Sequence, residues 1–168
     1  MHFWFRFFYK NYSLYERRNP SLEKNVKVQL NSFIGTRFEE LCRECFPKMM
    51  PELPFQVTKF GRQWGKISGV ERGKNVYDID VVALNEGEKK VLFIEAKWSD
   101  LNSREAKDLI EELKQKAGHV QWFNDKREEF CGLIARKIHG KEKMREEGCA
   151  LFDLADLERF SSPTPFKA

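Results

Sequence analysis

The chain has 168 residues, 41% of them hydrophobic and 14% aromatic, which is enough to bury one core and too little for several. Thirty basic residues against 26 acidic ones leave a net charge of +4, a mild bias that permits a nucleic-acid partner without demanding one. No stretch approaches the roughly 20 apolar residues that a membrane span needs, which argues against a membrane protein.

The first segment, "FWFRFFYKNYSLYE", resembles a signal peptide only in its aromatic richness. Arg6 and Lys10 interrupt the apolar run and no small-residue cleavage site follows, so a cytoplasmic protein is expected. Trp4, Phe8, Tyr12 and Tyr15 recur at four, four and three residues, which predicts one helical face. Such a face packs on the main domain or docks on another domain or a second copy, and the pattern leaves both open. Residues 1–20 therefore read as a helical linker or docking segment, closed by Asn19 and Pro20. Residues 21–160 read as the main domain and 161–168 as a flexible tail.

Within the main domain, Phe33, Ile34, Phe38, Leu41, Cys42, Cys45 and Phe46 keep helical spacing up to Pro47, where or soon after which the helix should stop. Cys42 and Cys45 form a C-x-x-C pair inside this helix. With no second pair, and with His2, His119 and His139 dispersed, they read as small thiols in a reducing compartment rather than zinc ligands. "FQVTKFGRQWGKISG" contains strand-like pieces, and two apolar strands follow around a turn at Asn85, Glu86, Gly87 and Glu88. From Ser103 a capped amphipathic helix is predicted, with Ala106, Leu109, Ile110, Leu113 and Ala117 on one side. "FCGLIA" (130–135) and "CALFDL" (149–154) are further strands, separated by a helical "GKEKMREEG". Helices and strands in this order predict an α/β fold, a central mixed sheet flanked by helices on both faces.

The two strands of the hairpin carry charges where burial should favour Val, Ile and Phe. By alternation Asp78, Asp80 and Val82 face one way, and Val91, Phe93, Glu95 and Lys97 share a face on the next strand. An even-length turn places Asp78 opposite Glu95 and Asp80 opposite Phe93, leaving Asp80 diagonal to Glu95 at roughly 7–8 Å, a distance one hard cation bridges. Two carboxylates suffice for Mg²⁺ or Mn²⁺, and Lys97 would stabilise negative charge on a phosphoryl group or position water for attack. The competing reading is a surface ion-pair cluster at a strand end, with Asp78 solvent-facing or in a supporting position.

Asp80, Glu95, Ala96 and Lys97 form a D-(x)n-E-x-K pattern that resembles the PD-(D/E)XK nuclease superfamily. The resemblance implies a restriction-endonuclease-like three-layer fold and phosphodiester hydrolysis. It also implies Asp80, Glu95 and the Ala96 carbonyl as metal ligands, and through the G-x-x-x-E likeness of "GTRFEE" it implies a further glutamate, Glu39. No proline precedes Asp80, where the superfamily usually has one. Glu39 read alone could equally pair with Arg43 one helical turn on. A broader resemblance, to the C-terminal portion of archaeal P-loop ATPases, runs through "FWFRFFYKNYSLYE", "FIGTRFEELCRE", "FGRQWGK", "YDIDVVAL" and "LFIEAKWSDL". It implies a nuclease-like domain separated from its ATPase half: a fragment, an orphaned domain or a chain with a misplaced start. "GRQWGKI" lacks the spacing and hydroxyl of a P-loop, so no ATP site is expected.

Arg62 and Lys66 are candidate nucleic-acid contacts around Trp64, though the preferred reading makes Trp64 core and the cations solvated. Lys114 and Gln115 are weaker candidates for a phosphate contact. The expected function is a Mg²⁺-dependent DNA endonuclease. The alternative is an inactive nuclease-fold module that binds DNA or docks on a partner ATPase, and a homodimer through the aromatic segment is also open.

Overall fold

The computed structural model describes residues 2–9, 12–16, 20–67, 69, 71 and 75–161. The chain divides into two compact units, residues 1–37 and 38–168.

In the first unit two short helices, α1 (His2–Phe7) and α2 (Tyr12–Glu16), precede the start of α3 (Pro20–Met49). Helices of six and five residues hold only through packing. Here Phe7, 1% exposed, sets its ring 4.9 Å from Phe3 and 5.5 Å from Phe33. The single aromatic face expected of Trp4, Phe8, Tyr12 and Tyr15 is not formed. The helix is broken after Phe7, and Trp4, Phe8 and Tyr12 are exposed, while the Tyr15 side chain lies outside the described residues. Phe7 is the aromatic of this segment that turns inward, while Phe3, one turn earlier, stays exposed.

The α3 helix opens on Pro20, a first-turn position where the missing N–H costs nothing. It carries Pro47 in its last turn and ends two residues later, at Met49. In the second unit Phe38, Cys42, Cys45, Phe46 and Met49 make its buried stripe, whereas Leu41, expected among them, is exposed.

The second unit is a five-stranded mixed sheet in the order β1 (Lys59–Lys66), β2 (Val76–Asn85), β3 (Lys90–Leu101), β4 (Glu128–Ile138) and β5 (Ala150–Asp153). The first three are antiparallel, and β4 and β5 run parallel to β3. The parallel crossovers are made by α4 (Ser103–Ala117) and α5 (Lys141–Glu146). The cap of α4 is Asn102, one residue before the expected start, and Glu105 completes a capping box with it. Ala106, Ile110, Leu113 and Ala117 press α4 on one face of the sheet. On the other face lie residues 38–49 of α3 and Leu157 of a last helix, α6 (Leu154–Ser161). That helix was not anticipated: the strand read as "CALFDL" ends at Asp153, where Asp156 accepts the Asp153 N–H at 2.9 Å and starts a helical turn. Apart from Ser161, the expected tail lies outside the described residues. Among the described residues no helix is long and apolar enough to cross a membrane.

Candidate active site at a fork between two strands

The hairpin turn occupies residues 86–89 rather than 85–88. Asn85, 7% exposed, causes the shift. Its side chain donates to Gln56 O at 2.8 Å and accepts the Glu88 N–H at 3.0 Å, which holds it as the last strand residue, and Lys89 closes the turn at a φ of 55°. The register therefore runs from Asn85–Lys90 to Val81–Ile94. Carried one residue past the last pair, it sets Asp80 opposite Glu95, not diagonal to it.

A second correction concerns the faces. Gly61 pairs with Val82 and Gln63 with Ile79, so Arg62 confronts two residues, Asp80 and Val81, across a β-bulge. The alternation slips there. Tyr77 and Ile79 pack with Val82 and Leu84 toward α4, while Val81 and Ala83 pack toward α3. Asp80 thus leaves the face expected for it with Val82. The β2–β3 ladder ends at Val81–Ile94; beyond it β2 continues with β1 and β3 with β4. In the resulting fork Asp80 Oδ2 takes the place of a ladder acceptor and receives the Ala96 N–H at 2.8 Å. A second register shift follows Lys97, before Asp100 pairs with Lys137. The candidate site is bracketed by two irregularities, and this is how charges sit inside otherwise apolar strands.

Glu95 is 7% exposed and doubly clamped. Lys97 Nζ lies 2.9 Å from Oε1, and Lys116 Nζ donates to Oε2 at 2.8 Å. Burial works against the charge of Lys97, but the bond to Glu95 and the field of Glu95, Asp80 and Glu39 outweigh it and raise its pKa. Asp80 has no cation of its own within ion-pair distance among the described residues. Burial, then repulsion from Glu95, Glu39 and Asp78, pushes its carboxyl up to about 6, against the pull of the Ala96 N–H. Glu39 is half-buried on α3 and contributes to that field. It makes no ion pair with Arg43 among the described residues; Arg43 instead leaves Nη1 buried and unbonded. Cys42 is fully buried on the same helix. Its thiol is raised well above the ordinary range by burial and then by Asp80, so it is inert. Asp78 is satisfied by Arg62, whose Nε donates to Oδ1 at 2.9 Å and whose Nη2 reaches Oδ2.

Three further candidates separate. Lys114 faces away: it pairs with Glu111 at 2.6 Å and feels Cys131 and Cys149 on the far flank of α4. Gln115 is exposed and lines a groove with Asp78, Tyr77, Lys116 and His119. Lys116, which spacing alone did not single out, is the residue of this helix that reaches Glu95. Its signal was present, since it sits three residues after buried Leu113 and directly before buried Ala117, at the margin of the apolar stripe. Trp64, preferred as core, is 68% exposed, because β1 is the edge strand of the sheet. Lys66 is exposed beside it. Trp98 is half-buried against the core, its ring 5.3 Å from Phe38.

Among the described residues no three His, Cys, Asp or Glu side chains gather as a metal cage. Asp80 and Glu95 with a backbone carbonyl instead suit a hard cation that keeps most of its waters, as Mg²⁺ does. Ala96 faces the fork with its N–H, and in a strand its carbonyl points to the same side.

An α/β domain with paired carboxylates and lysines at a strand fork is the class these features define. Residues 4–109 match the family described as archaeal and bacterial proteins of unknown function, DUF234, and the chain belongs to that family. It is similar to the uncharacterized protein MJECL04 of Methanocaldococcus jannaschii, 35% identical over 157 residues that cover 92% of this chain and 32% of that protein. The chain thus spans about one third of the length of this curated relative. No solved structure matches.

Proposed function

We propose that the chain is a nuclease-like domain of restriction-endonuclease type that hydrolyses phosphodiester bonds in DNA with Mg²⁺ or Mn²⁺. The observation that carries this reading is Asp80, buried in the strand fork with no cation of its own among the described residues and in the field of Glu95, Glu39 and Asp78, where a bound cation would offset its charge. Asp80, Glu95 and the Ala96 carbonyl would hold the cation, which supplies charge neutralisation at the phosphate and a nucleophile at neutral pH. Lys97 stabilises negative charge on the phosphoryl oxygens, and Glu39 orients water or an outer ligand. Arg62, fixed by Asp78, holds the wall of the site nearest β1. The sheet supports the resemblance to the PD-(D/E)XK superfamily in having three antiparallel strands followed by helix-linked parallel ones. The kinship with archaeal ATPases, and hence an ATPase partner within a longer protein, is part of this proposal.

One observation favours a second reading, a silent module that binds DNA or docks on an ATPase: both Glu95 oxygens already hold lysines, as in a carboxylate that never meets a cation. Cleavage of supercoiled, linear and single-stranded DNA in Mg²⁺, Mn²⁺ and EDTA separates the two. The nuclease reading expects metal-dependent nicking that falls at least about 100-fold in Asp80→Ala, Glu95→Gln and Lys97→Met. Nicking equal in wild type and all three variants, or none in either metal, overturns it.

A further inference from the structure

We propose that β1 presents a stacking platform for an unpaired nucleic-acid base, with Trp64 as the platform and Lys66 and Arg62 as the flanking phosphate contacts. This deepens the nuclease reading and rests on it for the identity of the ligand, because it makes single-stranded or locally unpaired nucleic acid the preferred substrate. Phe60, Arg62, Trp64 and Lys66 alternate onto one face of the edge strand. Phe60 is partly covered by Phe46, with rings 5.0 Å apart, but Trp64 remains 68% exposed. The opposite face of β1 is filled next to it. The Tyr77 ring lies so close to Gly65 that a Cβ there would stand 2.6 Å from Tyr77 Cε1.

Charge decides what covers this face. On this face β1 carries Arg62 and Lys66 and no carboxylate of its own; Arg62 is shared with Asp78, and Lys66 makes no ion pair among the described residues. An apolar protein partner has no use for a cation beside the indole, whereas a nucleic-acid strand supplies a π-face for Trp64 and a phosphate for Lys66, with Arg62 next to it. Position supports the same ligand. Trp64 is in register with Asp78, two residues from Asp80 along β2. Strand geometry places the Trp64 and Asp80 backbones roughly 8 Å apart, the span of a nucleotide or so. A strand with its phosphate at the fork would lay a neighbouring base on the indole. A duplex keeps its base faces stacked and cannot do so without opening.

The test is fluorescence anisotropy with labelled oligo(dT) and a duplex of equal length, in EDTA so that cleavage does not intervene, with light scattering on the same samples. Oligo(dT) is expected to bind more tightly than the duplex. Trp64→Ala should weaken oligo(dT) binding about 5- to 100-fold and Trp64→Phe less than about threefold, and Lys66→Ala should reduce the salt dependence. A duplex bound more tightly than oligo(dT), or Trp64→Ala binding like wild type, overturns the platform. So does a Trp64→Ala variant that changes only the oligomeric state, which would make this edge a contact between copies. The nuclease reading fails separately: the binding pattern without any metal-dependent cleavage keeps the platform and removes the enzyme, and cleavage with Trp64-independent binding does the reverse.

Discussion

Two places in the second unit bury carboxylates, the strand fork of β2 and β3 and the corner of β5 and α6, and they are opposites. At the corner of β5 and α6, Asp153 and Asp156 are each 7% exposed and meet Lys141 and Arg145. Lys141 Nζ lies 2.8 Å from both acids, Arg145 Nη2 lies 2.9 Å from Asp156, and the Asp153 N–H adds a further bond. Burial works to raise Asp156, but the bonds from Lys141 and the Asp153 N–H, with the field of Arg145, outweigh it and hold its carboxyl below the ordinary range. Asp80 is equally buried and is raised instead: burial drives the shift, and Glu95, Glu39 and Asp78 add to it where Asp156 has cations to oppose it. Acids and bases balanced within hydrogen-bond reach mark a structural joint. On the proposed nuclease reading, a buried acid whose nearest fields come from other acids is the place for a positive ligand.

The sharpest way to break this contrast is to remove Asp156. Asp156→Ala removes from a buried corner the carboxylate that Lys141, Arg145 and the Asp153 N–H share, and should cost about 3 kcal/mol in urea unfolding at pH 7. Because the native pKa of Asp156 is depressed, that contribution exists above the unfolded carboxylate value and fades as pH falls through the native one. The gap between variant and wild type should narrow in acid. Asp80→Asn should act with the opposite sign. A native carboxyl raised from 3.8 to about 6 makes the charged form a burden above pH 6, worth at most about 3 kcal/mol. The variant should be about 1–3 kcal/mol more stable than wild type at pH 8 without metal, and the gain should vanish as pH falls below about 4. A destabilised Asp80→Asn at pH 8 would show that the fork is neutralised from within. The smallest effect belongs to the Arg62–Asp78 pair, whose side chains are 48% and 41% exposed. A double-mutant cycle there should give less than about 1 kcal/mol, and a larger coupling would place the pair in the buried class.

Much of this was readable from the chain and some was not, for physical reasons. Phe38, Cys42, Cys45 and Phe46 announced a buried helical stripe because their period has no other use. Asp80, Glu95 and Lys97 stood out because charges interrupted apolar strands. The face of Asp80 was not legible: Val81 and Val82 are both apolar, so the slip at the bulge leaves no mark on the hydrophobic pattern. The register was off by one step of the turn because Asn85, a common turn residue, spends its side chain on Gln56 and Glu88 while its backbone stays in the strand. Trp64 was misjudged because an indole in a strand is usually interior, and whether a strand lies at an edge depends on the order of the whole sheet.

The hydrogen bond from Ala96 to Asp80 also gives the fork a spectroscopic voice. A backbone amide that donates to a carboxylate changes its proton frequency when that carboxylate takes up a proton or a cation, so one resonance carries the electrical state of the whole cluster. Ala96 is itself a small, buried residue with no chemistry in its side chain, yet its amide is the fork's own indicator dye.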